Sequence, residues 1–491
     1  MQNRIISLTS LALIVLFSAC KHDPQDWGDH PDPADTVESG YPLALKEVFV
    51  NRCATAGCHN AASYQNAGGL RLDTWENLFK GGGNGSVVVP YAHYNSSLLY
   101  FINTDEAFGP VAEPTMPLNQ PHLTADEYQM IASWVASGAP DKDGQVAFSG
   151  NAATRQKIYM TMQGCDQIAV VDAATNLIMR YIPIGMDPLR VESAHRVGFS
   201  PDGKYAYVCF QGSNALQKID AEKDTIIGQV DLGVTSEVFM ISPDGKSMVV
   251  SSLASNRLVT VDLENMMVTG YIQGSGIAQP HGIQASEDFS TLYVTGQTGN
   301  VVYKIRPWNS WIKMVSLDGL PPSTGQSSMD PHEIIMTPDF KRYFVTCEKS
   351  NEVRVMDAEA DTLIKVIPMG IKPQELAISS TKPYIFVTVM EDVSSNPNYK
   401  GSVYIINYDT YQTTRIDGPF FQPHGITVDD QNGKFYVLSR NFDSDGPAPH
   451  HSSSCDGRNG YYHVYDLNTL ERLPVRHEAT VDPYSADTRF K

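Results

Sequence analysis

The chain has 491 residues, 42% of them apolar and 19% charged, ample for folded cores and too long for one small domain. Lys and Arg number 36 against 55 Asp and Glu, a formal net charge of −19 with no basic cluster. Phosphate binding needs concentrated positive charge, so nucleic acid is not the expected partner; a basic protein partner, or plain solubility, suits this balance.

At the N-terminus Arg4 precedes an apolar run from Ile5 to Phe17, and Ser18-Ala19-Cys20 follows. A run this short is cleaved as a signal segment rather than kept as a membrane span. Its end resembles that of bacterial lipoproteins, which implies that residues 1–19 are removed and that Cys20 is lipidated; an ordinary signal peptide cut near Ala19 is the alternative. Either route leads to the cell envelope, with the periplasmic and outer-membrane faces both open, where disulfides persist. Residues 20–41 are rich in Asp, Pro and Gly without periodicity and read as a flexible tether.

Next comes Cys53-Ala-Thr-Ala-Gly-Cys58-His59. Two thiols ahead of a His supply two thioether anchors and an iron ligand for a covalent haem c, although the gap is four residues where the usual form has two. A structural zinc site is the alternative, but zinc wants a second ligand pair at short spacing and none follows closely. Leu43 to Val50 is an apolar, helix-compatible approach, and Leu123 to Ser137 carries a second helical pattern. Between them Met116, before Pro117 in a loop, offers a thioether as second axial ligand opposite His59, with His93 and His122 as rivals.

Residues 42–141 resemble the planctomycete-type cytochrome c domain through Cys58-His59, Gly68-Gly-Leu-Arg-Leu-Asp73, Ser97-Leu-Leu99, Met116-Pro117, and Leu123-Thr to Trp134 followed by Gly138-Ala-Pro140. The resemblance implies a small all-α domain with His59 and Met116 on the haem iron. Leu118 stands where that family has a second Pro, and the attachment gap is two residues longer.

From Arg155 onward one turn recurs, at Ser200-Pro-Asp-Gly-Lys204, Ser242-Pro-Asp-Gly-Lys246, Ser286-Glu-Asp288, Thr337-Pro-Asp339, Ser379-Ser380 and Asp429-Asp430, with spacings of 42, 44, 51, 42 and 50. A β-rich strand follows each turn, and a later strand often ends in Asp, as at Asp220, Asp262 and Asp357. Such a period means a propeller. With a partial first copy from Lys157 to Gly185 the count is seven blades. That copy lacks its inner strand, which Thr480 to Phe490 is expected to supply, with Gly144 to Ser149 as runner-up. Residues 153–491 resemble the YVTN or YncE-like seven-bladed β-propellers, a likeness that implies fold and hardly any chemistry.

Five residues before each turn, where an innermost strand begins, stand His195, Glu237, His281, His332, Gln374 and His424. They are expected to ring one mouth of the central channel, as ligands for a second metal ion or a polar substrate, or as histidines that merely hold the repeat together. The last blade carries a long insertion, Asn441 to Gly460, with His450, His451 and Cys455, expected to lie over that mouth. Cys165 occupies the matching connection of the first blade, so a Cys165–Cys455 disulfide is expected. Cys209 and Cys347 fall on separate strands and read as core thiols.

Together these readings give a multidomain chain, a small all-α cytochrome c domain followed by an all-β seven-bladed propeller, with one covalent haem c. The expected function is exported electron transfer to or from a redox partner in the envelope, membrane-attached through the lipid. The propeller then supplies either an oxidoreductase active site of unspecified substrate or a docking surface. A non-catalytic binding lipoprotein with a tethered relay, and a non-redox lipoprotein with a structural metal at the Cys/His segment, are the alternatives.

Overall fold

The recurring Ser-Pro-Asp-Gly-Lys turns work through a compact set of side-chain bonds. Ser200 Oγ donates to Asp202 Oδ1 (2.7 Å) and accepts from the Tyr205 N–H (3.0 Å), while the Lys204 N–H donates to the same carboxylate (3.1 Å). Gly203 takes φ +67°, a left-handed angle that favours glycine. Ser242 with Asp244 and Thr337 with Asp339 repeat the arrangement. The strand-end aspartates cap the next turn in the same way, Asp220 Oδ1 accepting from the Glu222 and Lys223 N–H groups.

These turns delimit seven four-stranded antiparallel sheets in the computed structural model, which describes residues 38–274, 276–309, 311–441, 455 and 460–491. Six sheets follow chain order from inner to outer strand. The exception is the first, in which Pro483–Thr488 pairs with Lys157–Met162, so the C-terminal strand closes the ring. Middle strands such as Tyr205–Phe210 and Arg342–Cys347 are almost wholly buried, because blades stack face to face and cover both sides. Outer strands such as Thr225–Asp231 are mostly exposed and carry the polar residues. Cys209 and Cys347 are buried on middle strands of blades two and five.

Ahead of the propeller, four short α-helices, Leu43–Val48, Trp75–Leu78, Ser97–Ile102 and Ala125–Ala136, surround one apolar core. Tyr41, Phe49 and Trp134 pack ring against ring at 5.1 to 6.4 Å. The last helix starts with a capping box between Thr124 and Glu127. Its exit is pinned by two indoles, Trp75 Nε1 donating to Ala139 O (2.9 Å) and Trp134 Nε1 to Pro140 O (2.8 Å).

Ser39 to Lys491 forms one compact unit. Within the segment from Gly81 to Asn95, Val87 and Val88 pack on the helical core while neighbouring residues meet blades one and seven. Ser86 Oγ donates to Ile178 O (3.0 Å), the Glu478 N–H donates to Asn84 O (3.1 Å), and Val89 is buried among Met160, Tyr181 and Tyr462. Arg180 lies over the Tyr91 ring at 4.6 Å. Cys165 and Cys455 are joined as a disulfide with Cα atoms 5.4 Å apart, and Asn95 Nδ2 donates to Cys455 O (3.1 Å). His450, His451 and Cys20 lie outside the described residues.

Candidate functional site

The Cys/His segment begins where the first helix ends. Leu45, Val48 and Phe49 turn one face into the core, and the helix widens into a π turn over Phe49–Cys53 that leaves Cys53 against the same core. The His59 N–H donates to Cys53 O (3.1 Å), which closes the four-residue gap into a compact loop, with Gly57 at φ +83°. Arg52 ties the loop to the last helix through Glu127 Oε1 at 2.7 Å. Both thiols are free and half-buried.

Residues from the Gly68-Gly-Leu-Arg-Leu-Asp73 run hold His59 in place. The Leu72 N–H donates to His59 O (2.9 Å), and Nδ1 of the ring lies 3.1 Å from Leu70 O. Since a carbonyl only accepts, Nδ1 carries the proton and Nε2 keeps its lone pair, the arrangement found in metal-ligating histidines. Burial lowers the His59 pKa, which favours the neutral, ligating ring. Burial also pushes the Cys53 thiol up to about 11, unlike the electropositive setting of a reactive or zinc-binding cysteine. Met116 packs on the apolar cluster that also holds Cys53. Of its rivals, His93 lies tilted against Tyr94 on the segment that meets the propeller, and His122 is exposed in a cleft of about 580 Å³ with Thr55 and Pro117. The donor set of two thiols, one oriented imidazole and one thioether fits a covalent haem.

In the propeller, five of the six channel positions stand at the start of an inner strand and Glu237 just ahead of its own, Phe239–Ile241, and each is at most 5% exposed. Two residues earlier the backbone turns left-handed, at Ser193, Gln279, Asp330, Lys372 and Gln422. Just after, the pairing of inner and second strand slips, for instance between Pro331 and Ile334. Such a bulge re-aims side chains. A seventh member was overlooked in the sequence: Tyr484, on the closing strand, with Asp482 left-handed at φ +60° before it. Its signal was Asp482-Pro-Tyr484, the counterpart of Asp330-Pro-His332.

Five aromatic members close on one another. Ring centroids lie 6.1 Å apart for His195 and His281, 4.2 Å for His281 and His332, 6.4 Å for His332 and His424, 3.7 Å for His424 and Tyr484, and 4.7 Å for Tyr484 and His195. His195 Nε2 is 3.3 Å from Glu237 Oε2. A wide channel with its side chains apart and wet is thus not what forms; the mouth is packed. Of the six positions read from the sequence, only His195, Glu237 and His281 bring potential ligand atoms within 4.8 Å of one another.

What holds the repeat together is the main chain of these residues. Ser251, Thr295, Thr346 and Thr388, each on a second strand, donate their hydroxyls to the carbonyls of His281, His332, Gln374 and His424 in the next blade, at 2.6 to 2.9 Å. The imidazoles share this task, Nδ1 of His281 facing His332 O (3.2 Å) and Nδ1 of His424 facing Tyr484 O (3.0 Å), while Nε2 of His332 and of His424 are buried without a partner. Behind them Arg196 Nη1 pairs with Glu375 Oε2 (2.8 Å), and Glu333 lies 3.4 Å from His281 Nδ1. Burial, reinforced by Glu333, pushes the Glu375 carboxyl up to about 7 despite the Arg196 guanidinium.

Fold and sites define a helical cytochrome c domain joined in cis to a seven-bladed β-propeller. Residues 56–117 match the family model for Planctomycete cytochrome C, a stretch that opens between the two cysteines and takes in Cys58, His59 and Met116. The curated proteins contain no match. Among solved structures, the chain is similar to Kuenenia stuttgartiensis hydrazine synthase (18% identity, TM-score 0.48, over 60% of this chain and 88% of that one). It is also similar to the dihydro-heme d1 dehydrogenase NirN (10%, 0.47, 84% and 95%). A third is a Bacteroides uniformis ATCC 8492 protein provisionally described as a 6-phosphogluconolactonase (12%, 0.50, 68% and 100%). At these identities the likeness concerns the fold alone.

Proposed function

We propose that the protein is an exported electron carrier of the cell envelope, lipid-anchored through Cys20. In this reading it holds one covalent haem c and exchanges single electrons between a redox partner protein and the propeller mouth. The observation that carries this is the His59 ring held by Leu70 O with Nε2 free, directly after two free thiols. Cys53 and Cys58 would anchor the group, and His59 with Met116 would hold its iron. Held by these residues, haem would supply one-electron transfer. Leu70 holds the imidazole plane, the Arg52–Glu127 pair holds the attachment loop, and Phe108 and Met130 keep the pocket apolar.

The packed mouth, with Nε2 of His332 and of His424 buried without a partner, supports the propeller as a ligand-holding centre. A docking role has its own support: Met186, Leu189, Leu320 and Ile371 are exposed on connections that lead into inner strands, on the same face as the mouth, Leu189 at 93%. To test the haem reading, wild type and the Cys53→Ala and Cys58→Ala variants are matured in a host with cytochrome c assembly. Haem should stay with the denatured wild-type chain on a gel and be lost from Cys58→Ala. Equal haem on all three would contradict it.

A further inference from the structure

We propose that His195 Nε2, Glu237 Oε2 and the outer ring nitrogen of His281 form a three-ligand site for one divalent first-row transition metal ion. The inference rests on the propeller mouth being a ligand-holding centre and names what it holds. Bonds of about 2.0–2.2 Å in tetrahedral geometry put neighbouring ligand atoms roughly 3.3–3.5 Å apart. His195 Nε2 and Glu237 Oε2 already stand at 3.3 Å, and one ligand atom from each of the three residues falls within 4.8 Å of the others.

Each ligand is oriented from behind, as metal sites require. Gln163 Nε2 lies 3.3 Å from His195 Nδ1, and ligation through His195 Nε2 requires that amide to turn over so that its oxygen accepts from Nδ1–H. Gln211 Nε2 donates to Glu237 Oε2 at 3.3 Å, and His281 Nδ1 faces His332 O at 3.2 Å. That last contact puts the His281 proton on Nδ1 and leaves Nε2 for the metal. All three ligands are buried, so water does not compete for them. Two imidazoles and one carboxylate suit zinc or iron(II) rather than calcium or magnesium, which take oxygen ligands, or copper(I), which takes sulfur. Three ligands leave a coordination position open. The partnerless Nε2 atoms of His332 and His424, in the same closed ring, give a metal-bound water or small protic ligand one donor and one acceptor: Nδ1 of His332 accepts from Gln297 Nε2 (3.5 Å), which leaves the proton on Nε2, whereas Nδ1–H of His424 donates to Tyr484 O (3.0 Å).

The test uses tag-free, full-length protein stripped with a chelator and titrated with zinc alone, read by calorimetry and by elemental analysis after dialysis. One zinc per chain is expected beside haem iron. Glu237→Gln, nearly isosteric, should weaken zinc binding at least tenfold with an unchanged thermal melt, and His281→Ala should abolish it. Phe in place of His463, a buried histidine away from the ring, should leave it intact. No zinc retained by wild type, or equal binding by wild type and Glu237→Gln, would overturn the site. Haem content measured on the same samples keeps the two readings apart: zinc bound by a haem-free chain upholds the metal site while removing the electron carrier.

Discussion

His424 lies parallel to Tyr484 with ring centroids 3.7 Å apart, and its Nδ1 faces the Tyr484 carbonyl at 3.0 Å. The last blade's channel histidine thus rests on the strand that closes the first blade, so one contact serves both ring closure and the mouth.

Replacing Tyr484 with Ala should therefore act on both. Loss of a buried aromatic costs about 3–5 kcal/mol, read as a lower midpoint in denaturant unfolding. Tyr484→Phe, which keeps the stacking, should lie within about 1 kcal/mol of wild type.

Met116 is testable through the iron's potential. A thioether ligand raises the potential and imidazole lowers it, so Met116→His should shift the midpoint down, on the order of a hundred millivolts, with haem still attached. An unchanged midpoint would return the axial position to His93 or His122.

His477 gives the domain contact a pH dependence. It is stacked on Tyr462 at 4.7 Å and lies under Gly85, whose added Cβ would come within 2.9 Å of its Nδ1. Burial, aided by Lys434, lowers its pKa from 6.5 to about 3. The native state then binds fewer protons than the unfolded chain, so stability is full above pH 6.5 and falls as the pH drops from 6.5 towards 3. His477→Gln should flatten that fall by roughly a few kcal/mol in acid melts.

Gly85, at φ +87°, admits no side chain there. Gly85→Val should loosen the helical domain from blades one and seven, seen as faster proteolysis in the segment around residue 150, with the propeller's own melt little changed.

The Cys165–Cys455 bond ties blade one to the last blade's insertion, next to Asn95. Serine at both positions should cost about 2–4 kcal/mol, and alkylation before and after reduction should count two extra thiols in wild type.

Most blades were legible in the sequence because the turns at Ser200, Ser242, Ser286 and Thr337 are local devices, a hydroxyl and an Asp two residues later making the bonds, whereas the turn at Ser379 bonds to Asp430. The inner-strand positions followed from counting back from those turns. Tyr484 escaped because the first blade is split between the chain's two ends and its turn has lost the motif. The packing of the mouth was not legible either, since the bulges after Pro280, Pro331 and Pro423 depend on the second strand of the blade and the hydroxyl-to-carbonyl bonds between blades join residues 28 to 37 apart. In the helical domain, the Cys-His segment and Met116 were visible as residue types. The bond from His59 to Leu70, which gives the glycine-rich run its purpose, is a tertiary contact.

The central claim, a haem covalently held at Cys53 and Cys58, is tested most directly by the visible spectrum of the exported full-length protein in alkaline pyridine with dithionite. A c-type haemochrome at one haem per chain, surviving acid extraction, is the predicted result. A colourless preparation from a host competent in cytochrome maturation, or haem that extracts completely, would contradict it.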